Sequence, residues 1–277
     1  MKKIFYFFAA TLVLAAVGCS KDDAATNDVQ YVSELIVNFE GDTRVSASHS
    51  AAGLKFAFKN GDVIKVSKIS ADIMANQDFV YDETEGKFVT TGNPLKVGDE
   101  YIAMYNLKAT KYNSGIKVNG FLSDETASNM FDDMPMVSST FVADASGTIA
   151  TMHHLLGVVE IPVKSSKATD KLKEILLTTD GTVIRGSLEC YISDYTLTIA
   201  GHSHRKFVSE SGVDLNQSTA TSIFIPVFPC TEAETVTIDY KLADDESYQY
   251  LNHSKIGGKK LTVERGKITK LKELVLE

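Results

Sequence analysis

The sequence predicts an all-β protein: two β-sandwich domains in tandem behind a removable export segment. Three observations carry that expectation. Short runs alternating apolar and polar residues recur along nearly the whole chain, as half-buried strands require. Gly-Asp, Asn-Gly and Glu-Gly steps separate many of them, supplying turns. No long helical pattern, heptad, solenoid period or low-complexity tract intervenes.

The chain opens MKKIFYFFAATLVLAAVGCSKDD. Lys2 and Lys3 precede an uncharged stretch over 4–18, and a bilayer-spanning helix needs ~20 apolar residues, so the stretch reads as a signal peptide over 1–18. Ala16-Val17-Gly18-Cys19 resembles a bacterial lipobox, which makes Cys19 the lipidated first residue of the mature chain. Several acyl chains, at ~0.8 kcal/mol per buried methylene, hold such a protein stably to a membrane. Ser20-Lys21-Asp22-Asp23 resembles the surface-export signal of Bacteroidetes lipoproteins, and residues 19–30 form a polar tether. The expected location is therefore the outer membrane, facing outwards.

The 28 basic and 36 acidic residues give a formal charge of −8, and loss of Lys2 and Lys3 takes it to −10. A surface that acidic disfavours nucleic-acid partners and favours solubility. An apolar content of 44% is enough to fill the cores of a mature chain this long. Beyond Cys19 only Cys190 and Cys230 remain. Cys190 alternates with Leu188 and Ile192, which points it into a core; whether it pairs with Cys230 is left open.

The first sandwich is expected over 31–147. In 31–40 the apolar Tyr31, Leu35, Val37 and Phe39 share one face, opposite Glu34, Asn38 and Glu40. Further strands are predicted at 54–58, 63–69, 78–81, 87–90, 100–106, 116–121 and 136–141, with 124–133 a short helix or an irregular loop. Ala143-Asp144-Ala145-Ser146-Gly147 reads as a break. The second sandwich, 148–277, is expected to hold strands at 155–163, 174–179, 186–193, 195–200, 222–228, 235–242, 248–252 and 261–263. Its one plausible helix lies near 167–174. Alternation fails in the last segment, 268–276, where Ile268, Leu271 and Leu274 are spaced by three.

Several segments together resemble a family. Phe58-Lys59-Asn60-Gly61-Asp62-Val63-Ile64-Lys65-Val66, Tyr101-Ile102-Ala103-Met104-Tyr105, the run Met152 to Ile161 (MHHLLGVVEI), Ser222 to Pro229 (SIFIPVFP) and Leu261 to Thr269 (LTVERGKIT) are similar, in order and spacing, to elements of the Bacteroidetes fimbrillin-like proteins. The resemblance spans nearly the whole mature chain. It implies transthyretin-like sandwiches, a non-enzymatic role as a type V pilus subunit, no cofactor, and other pilus subunits as partners. In that family an arginine-specific protease removes the first strand, and a neighbouring subunit's strand fills the groove. Carried over, cleavage falls after Arg44 and the exchanged strand presents Tyr31, Leu35, Val37 and Phe39. An uncut first strand, as in an anchoring subunit that keeps its lipid, is the other reading, and stalk, tip and anchor roles stay open.

There is no G-x-S-x-G, no H-E-x-x-H and no phosphate-binding or dinucleotide-binding glycine motif. His202 and His204 would share a strand face, as would Tyr248 and Tyr250, and these pairs support an alternative, a surface lipoprotein that binds haem or a glycan. Packed or solvated side chains are the simpler account of both pairs. Of the adjacent His153 and His154, one is expected in the core.

Overall fold

The computed structural model describes residues 29–39, 48–50, 53–55, 58–69, 76–112, 115–123, 125–126, 134–233, 235–251 and 260–277. The expected signal peptide over 1–18, Cys19, Arg44 and most of 124–133 lie outside them. The all-β expectation holds: strands dominate, and no helix occurs among the described residues.

The first sheet is built from the strands Glu34–Phe39, Val63–Lys68, Asn76–Asp82, Lys87–Val89, Glu100–Tyr105, Met136–Ser138, Phe141–Val142 and Ile149–His154. Met136–Ser138 pairs with Ile149–His154 on one side and with Glu100–Tyr105 on the other, so the ladder closes on itself. Closure removes open edges from the circuit. It encloses a core in which Leu35, Ile64, Val66, Phe79, Phe88, Ile102, Met104 and Met136 are fully buried.

Three further sheets contain the remaining long strands. The hairpin Lys108–Tyr112 and Gly115–Leu122 pairs with Arg185–Tyr191, which pairs with Leu197–His202. Lys171–Thr179 lies between His204–Asp214 and Val236–Leu242. Gly157–Ser165 lies between the antiparallel Thr221–Val227 and two short parallel strands at the C terminus, Ile268–Lys270 and Leu274–Leu276.

Strand pairing does not follow the division expected at residue 147. Ile149–His154 belongs to the first sheet, while the 108–122 hairpin pairs with strands of the second half. The reason is the stretch 149–165. It is almost unbroken strand, and its first part serves the first sheet and its second part another, with Leu155 and Leu156 wholly buried between them. The 143–147 segment is a turn within the first sheet, closed by Asp144, whose carboxylate accepts from the Ser146 amide at 2.7 Å.

The helix expected near 167–174 is absent; those residues form a turn and then the strand Lys171–Thr179. A register shift between Leu172 and Glu174 inserts one residue relative to Val236–Leu242. The inward positions therefore run Leu172, Ile175, Leu177, and the first spacing of three imitates a helix. The same device explains 268–276. Val158 faces Ile268, but Val163 faces Leu274, one residue out of step. The slip turns Leu274 and Leu276 inward and leaves Ile268 outside.

Candidate functional site

The groove that holds the first long strand is the candidate site. Glu34–Phe39 is internal to its sheet. On one side it pairs parallel with Ile149–His154, Ile36 opposite Ile149 and Phe39 opposite Met152. On the other it pairs antiparallel with Lys87–Val89, Leu35 opposite Phe88. The Ile36 amide donates to the Thr148 carbonyl at 2.9 Å, and the Thr90 amide donates to the Ser33 carbonyl at 2.9 Å. Backbone groups on both flanking strands thus depend on this segment for partners, and leaving them unmade inside a sheet is costly.

Side chains add the apolar contribution. Leu35 is fully buried, and Val37 and Phe39 are half-buried against the core. The Phe39 ring lies 5.2 Å from that of Phe58 and stacks on His154 at 6.1 Å. Phe58 in turn meets Phe88 edge-on at 4.7 Å and Tyr105 at 5.6 Å. Phe39 is therefore one wall of an aromatic cluster whose offset and edge-on contacts are individually favourable.

Tyr31 does not face this groove; it is 57% exposed. Tyr31–Val32 pairs with Leu95–Lys96 in a separate two-stranded ladder, and the chain changes phase at Ser33, so that Val32 rather than Tyr31 packs inwards. The groove is lined from this segment by three apolar side chains, not four. At ~1.5–3 kcal/mol per fully buried large side chain, with two of the three only partly covered, the apolar contribution is roughly 3–6 kcal/mol, an upper bound.

His154, the inward member of the histidine pair, is buried, and burial first, then the neighbouring His153, lowers its pKa to about 4. An unfolded imidazole takes up its proton near 6.5. Between those values the unfolded chain binds more protons than the folded one, so stability is complete above about pH 6.5 and declines as pH falls towards 4. The expected loss is roughly 3 kcal/mol. Urea titrations at pH 7 and pH 4.5 will show it, and His154→Phe, which keeps a ring against Phe39, is expected to flatten the decline. His153 points the other way: its Nε2 is 2.8 Å from the Ser139 hydroxyl and its ring 5.0 Å from Tyr195.

The other residues singled out are already engaged. The rings of His202 and His204 are 5.6 Å apart, but the buried Arg185 guanidinium lies 2.8 Å from His204 Nε2 and donates to its carbonyl at 2.7 Å. A nitrogen accepting from arginine is not presented to a metal. Among the described residues no group of three His, Cys, Asp or Glu side chains could hold a metal ion. Tyr248 is half exposed and its hydroxyl donates to Glu174, holding that carboxylate below its usual range, with Lys206 at 3.3 Å assisting. The Tyr250 side chain lies outside the description. Cys190 and Cys230 are both buried free thiols, and burial raises Cys190 to about 11, so neither is a ready nucleophile.

No protein-family model matches the chain, and no curated protein matches it in sequence. Solved structures do match in fold. A crystal structure described as a candidate cell adhesion protein from Bacteroides ovatus aligns over 90% of this chain and 93% of its own, with a TM-score of 0.60 at 13% identity. One described in the same words from Bacteroides uniformis aligns over 91% and 94%, with a TM-score of 0.57 at 11% identity. A fimbrial protein from Bacteroides vulgatus aligns over 89% and 95%, with a TM-score of 0.48 at 11% identity. At these identities the shared property is the fold.

Proposed function

We propose that the chain is a structural, non-enzymatic subunit of a surface fimbria, of the fimbrillin-like kind, assembled by exchange of its amino-terminal strand. The observation that carries this reading is the internal position of Glu34–Phe39, paired on both sides and burying Leu35 completely. A strand at the extreme end of a mature chain is free to leave without unthreading any other. Once it leaves, two strand edges and an apolar cleft favour an extended segment from another molecule. The likeness in fold to adhesion proteins agrees with a surface role.

In this scheme Cys19 carries the lipid that tethers the precursor to the outer membrane. Cleavage after Arg44 by an arginine-specific protease then frees the strand and the tether together. Retention of the lipid would make the same chain an anchor. Purified precursor treated with such a protease is expected to gain an N terminus at Val45, read by intact mass, and to form a ladder of oligomers. Arg44→Ala is expected to block both. Excess synthetic peptide of residues 31–39, added with the protease, is expected to refill the groove and suppress the ladder. Cleaved protein that stays monomeric at every concentration would overturn exchange, and the absence of any cleavage after Arg44 would overturn the stalk role.

A further inference from the structure

The first sheet and the 108–122 hairpin part company at Asn106. Its φ of 55° lies in the left-handed region, which asparagine tolerates better than most residues, and it turns the chain out of Glu100–Tyr105 towards the other sheet. The divergence leaves a groove of about 610 Å3. Its walls and floor are Val63, Met104, Leu107 and Phe121, and Lys65 and Lys108 stand at its rim. Phe121 is 67% exposed, the greatest exposure of any large apolar side chain among the described residues.

Charge sets this groove apart. In a chain of formal charge −8, its lining among the described residues carries two lysines and no carboxylate. Lys65 meets only an exposed partner, Asp78, at 3.4 Å, a pairing worth little in water. The polar side chains of the lining are Lys65, Lys108, Asn106 and Asn119, and the Asn119 amide already donates to the Thr110 hydroxyl at 2.9 Å. The volume falls in the range of small-molecule sites, which are largely apolar with a few orienting charges. A neutral oil would leave the lysines without a role, and a polyanion would leave Phe121 and Val63 wet.

We infer that this groove binds a small amphipathic anion, an apolar body against Phe121 and Val63 with one carboxylate or sulfonate head held by Lys65 and Lys108. The inference is independent of strand exchange, because the groove lies away from Glu34–Phe39 and is present in the intact precursor.

Full-length precursor titrated with 1-anilinonaphthalene-8-sulfonate is expected to show saturable one-to-one fluorescence. Dodecanoate and deoxycholate, both below their micelle concentrations, then distinguish a straight-chain body from a fused-ring one; displacement by either supports the site. Dodecanol, which lacks the charge, is expected to displace at least about fivefold more weakly. Lys65→Gln with Lys108→Gln is expected to weaken binding of the acids about fivefold or more and to leave dodecanol unchanged. Phe121→Ser is expected to weaken all three about tenfold. Val142→Ser, which removes an exposed apolar side chain elsewhere, is expected to change nothing. Circular dichroism of each variant confirms folding. Failure of both acids to displace the dye, equal displacement by dodecanol, or identical binding by the Phe121 and lysine variants would overturn the assignment.

Discussion

Leu35→Ala is expected to cost about 2–5 kcal/mol of stability, whereas Ile36→Ala, one residue along, costs less than about 1 kcal/mol. The contrast follows from register. Leu35 is fully buried opposite Phe88, while Ile36 is 44% exposed on the outer face opposite Ile149. In a strand a step of one residue exchanges core for solvent. For a chain of this size a loss of that order lowers Tm by about 5–15 °C. Calorimetry of the two variants reads the difference directly. The Leu35 variant is also expected to surrender its first strand more readily, so that after arginine-specific cleavage its oligomers form sooner. Equal destabilisation by the two substitutions would mean that the strand is not seated in the described register.

Gly157→Ala is the second large effect, expected at about 3 kcal/mol. A Cβ at Gly157 would stand 2.3 Å from the Glu264 carbonyl oxygen and 2.3 Å from Val263 Cγ1. The first of these is backbone and cannot swing aside. It belongs to the segment that carries the C terminus onto Gly157–Ser165, held there by the Gly266 amide donating to the Leu156 carbonyl at 2.8 Å and the Val158 amide to the Lys267 carbonyl at 3.0 Å. Displacing Glu264 therefore loosens the seat of Ile268–Lys270 and Leu274–Leu276 as well. Carboxypeptidase digestion is expected to trim the Gly157 variant back past Leu274 while leaving the parent intact. Gly92→Ala is the control, since its added carbon would meet nothing closer than Thr90 Oγ1 at 3.6 Å, and it is expected to be close to neutral.

Much of the fold was legible because most of its strands bury one face. Val236–Leu242 alternates without fault, and residues 35, 37 and 39 point inwards as their spacing predicts. What could not be read were the slips of phase. Val32 to Leu35, Leu172 to Ile175 and Leu271 to Leu274 are each inward pairs three residues apart, and in a one-dimensional pattern a one-residue slip looks like a helix or like noise. The longest strand, His204–Asp214, was missed for another reason. Its inward positions include Arg205 and Ser209 beside Phe207, so polarity and burial do not coincide. Arg205 is wholly buried and donates to the Pro226 carbonyl at 2.7 Å, a partner supplied by a distant strand. The strand pairing across residue 147 was not legible because the turn at 143–147 is locally identical to a linker. Of the candidate site, the strand and the segment at 87–90 were visible in the sequence, but the parallel partner Ile149–His154 was not, since a parallel strand is joined by a long crossover and not by a hairpin turn.

The stretch 149–165 has a kinetic consequence. It receives the first long strand along its leading half and the last two along its trailing half, and each of these pairings joins segments more than a hundred residues apart. Contacts so distant demand loop closure before they repay it, which slows folding. A chain emerging from its N terminus can pair Glu34–Phe39 with Lys87–Val89 early, but must leave the other edge of that strand open until residue 149 has emerged, and seats Ile268–Lys270 and Leu274–Leu276 only after that. The parallel edge of the first long strand and the two C-terminal strands thus close last, so the new polypeptide passes through an interval in which the 149–165 stretch has open edges. A holdase chaperone is expected to recognise the protein in that interval and to release it once those edges are paired.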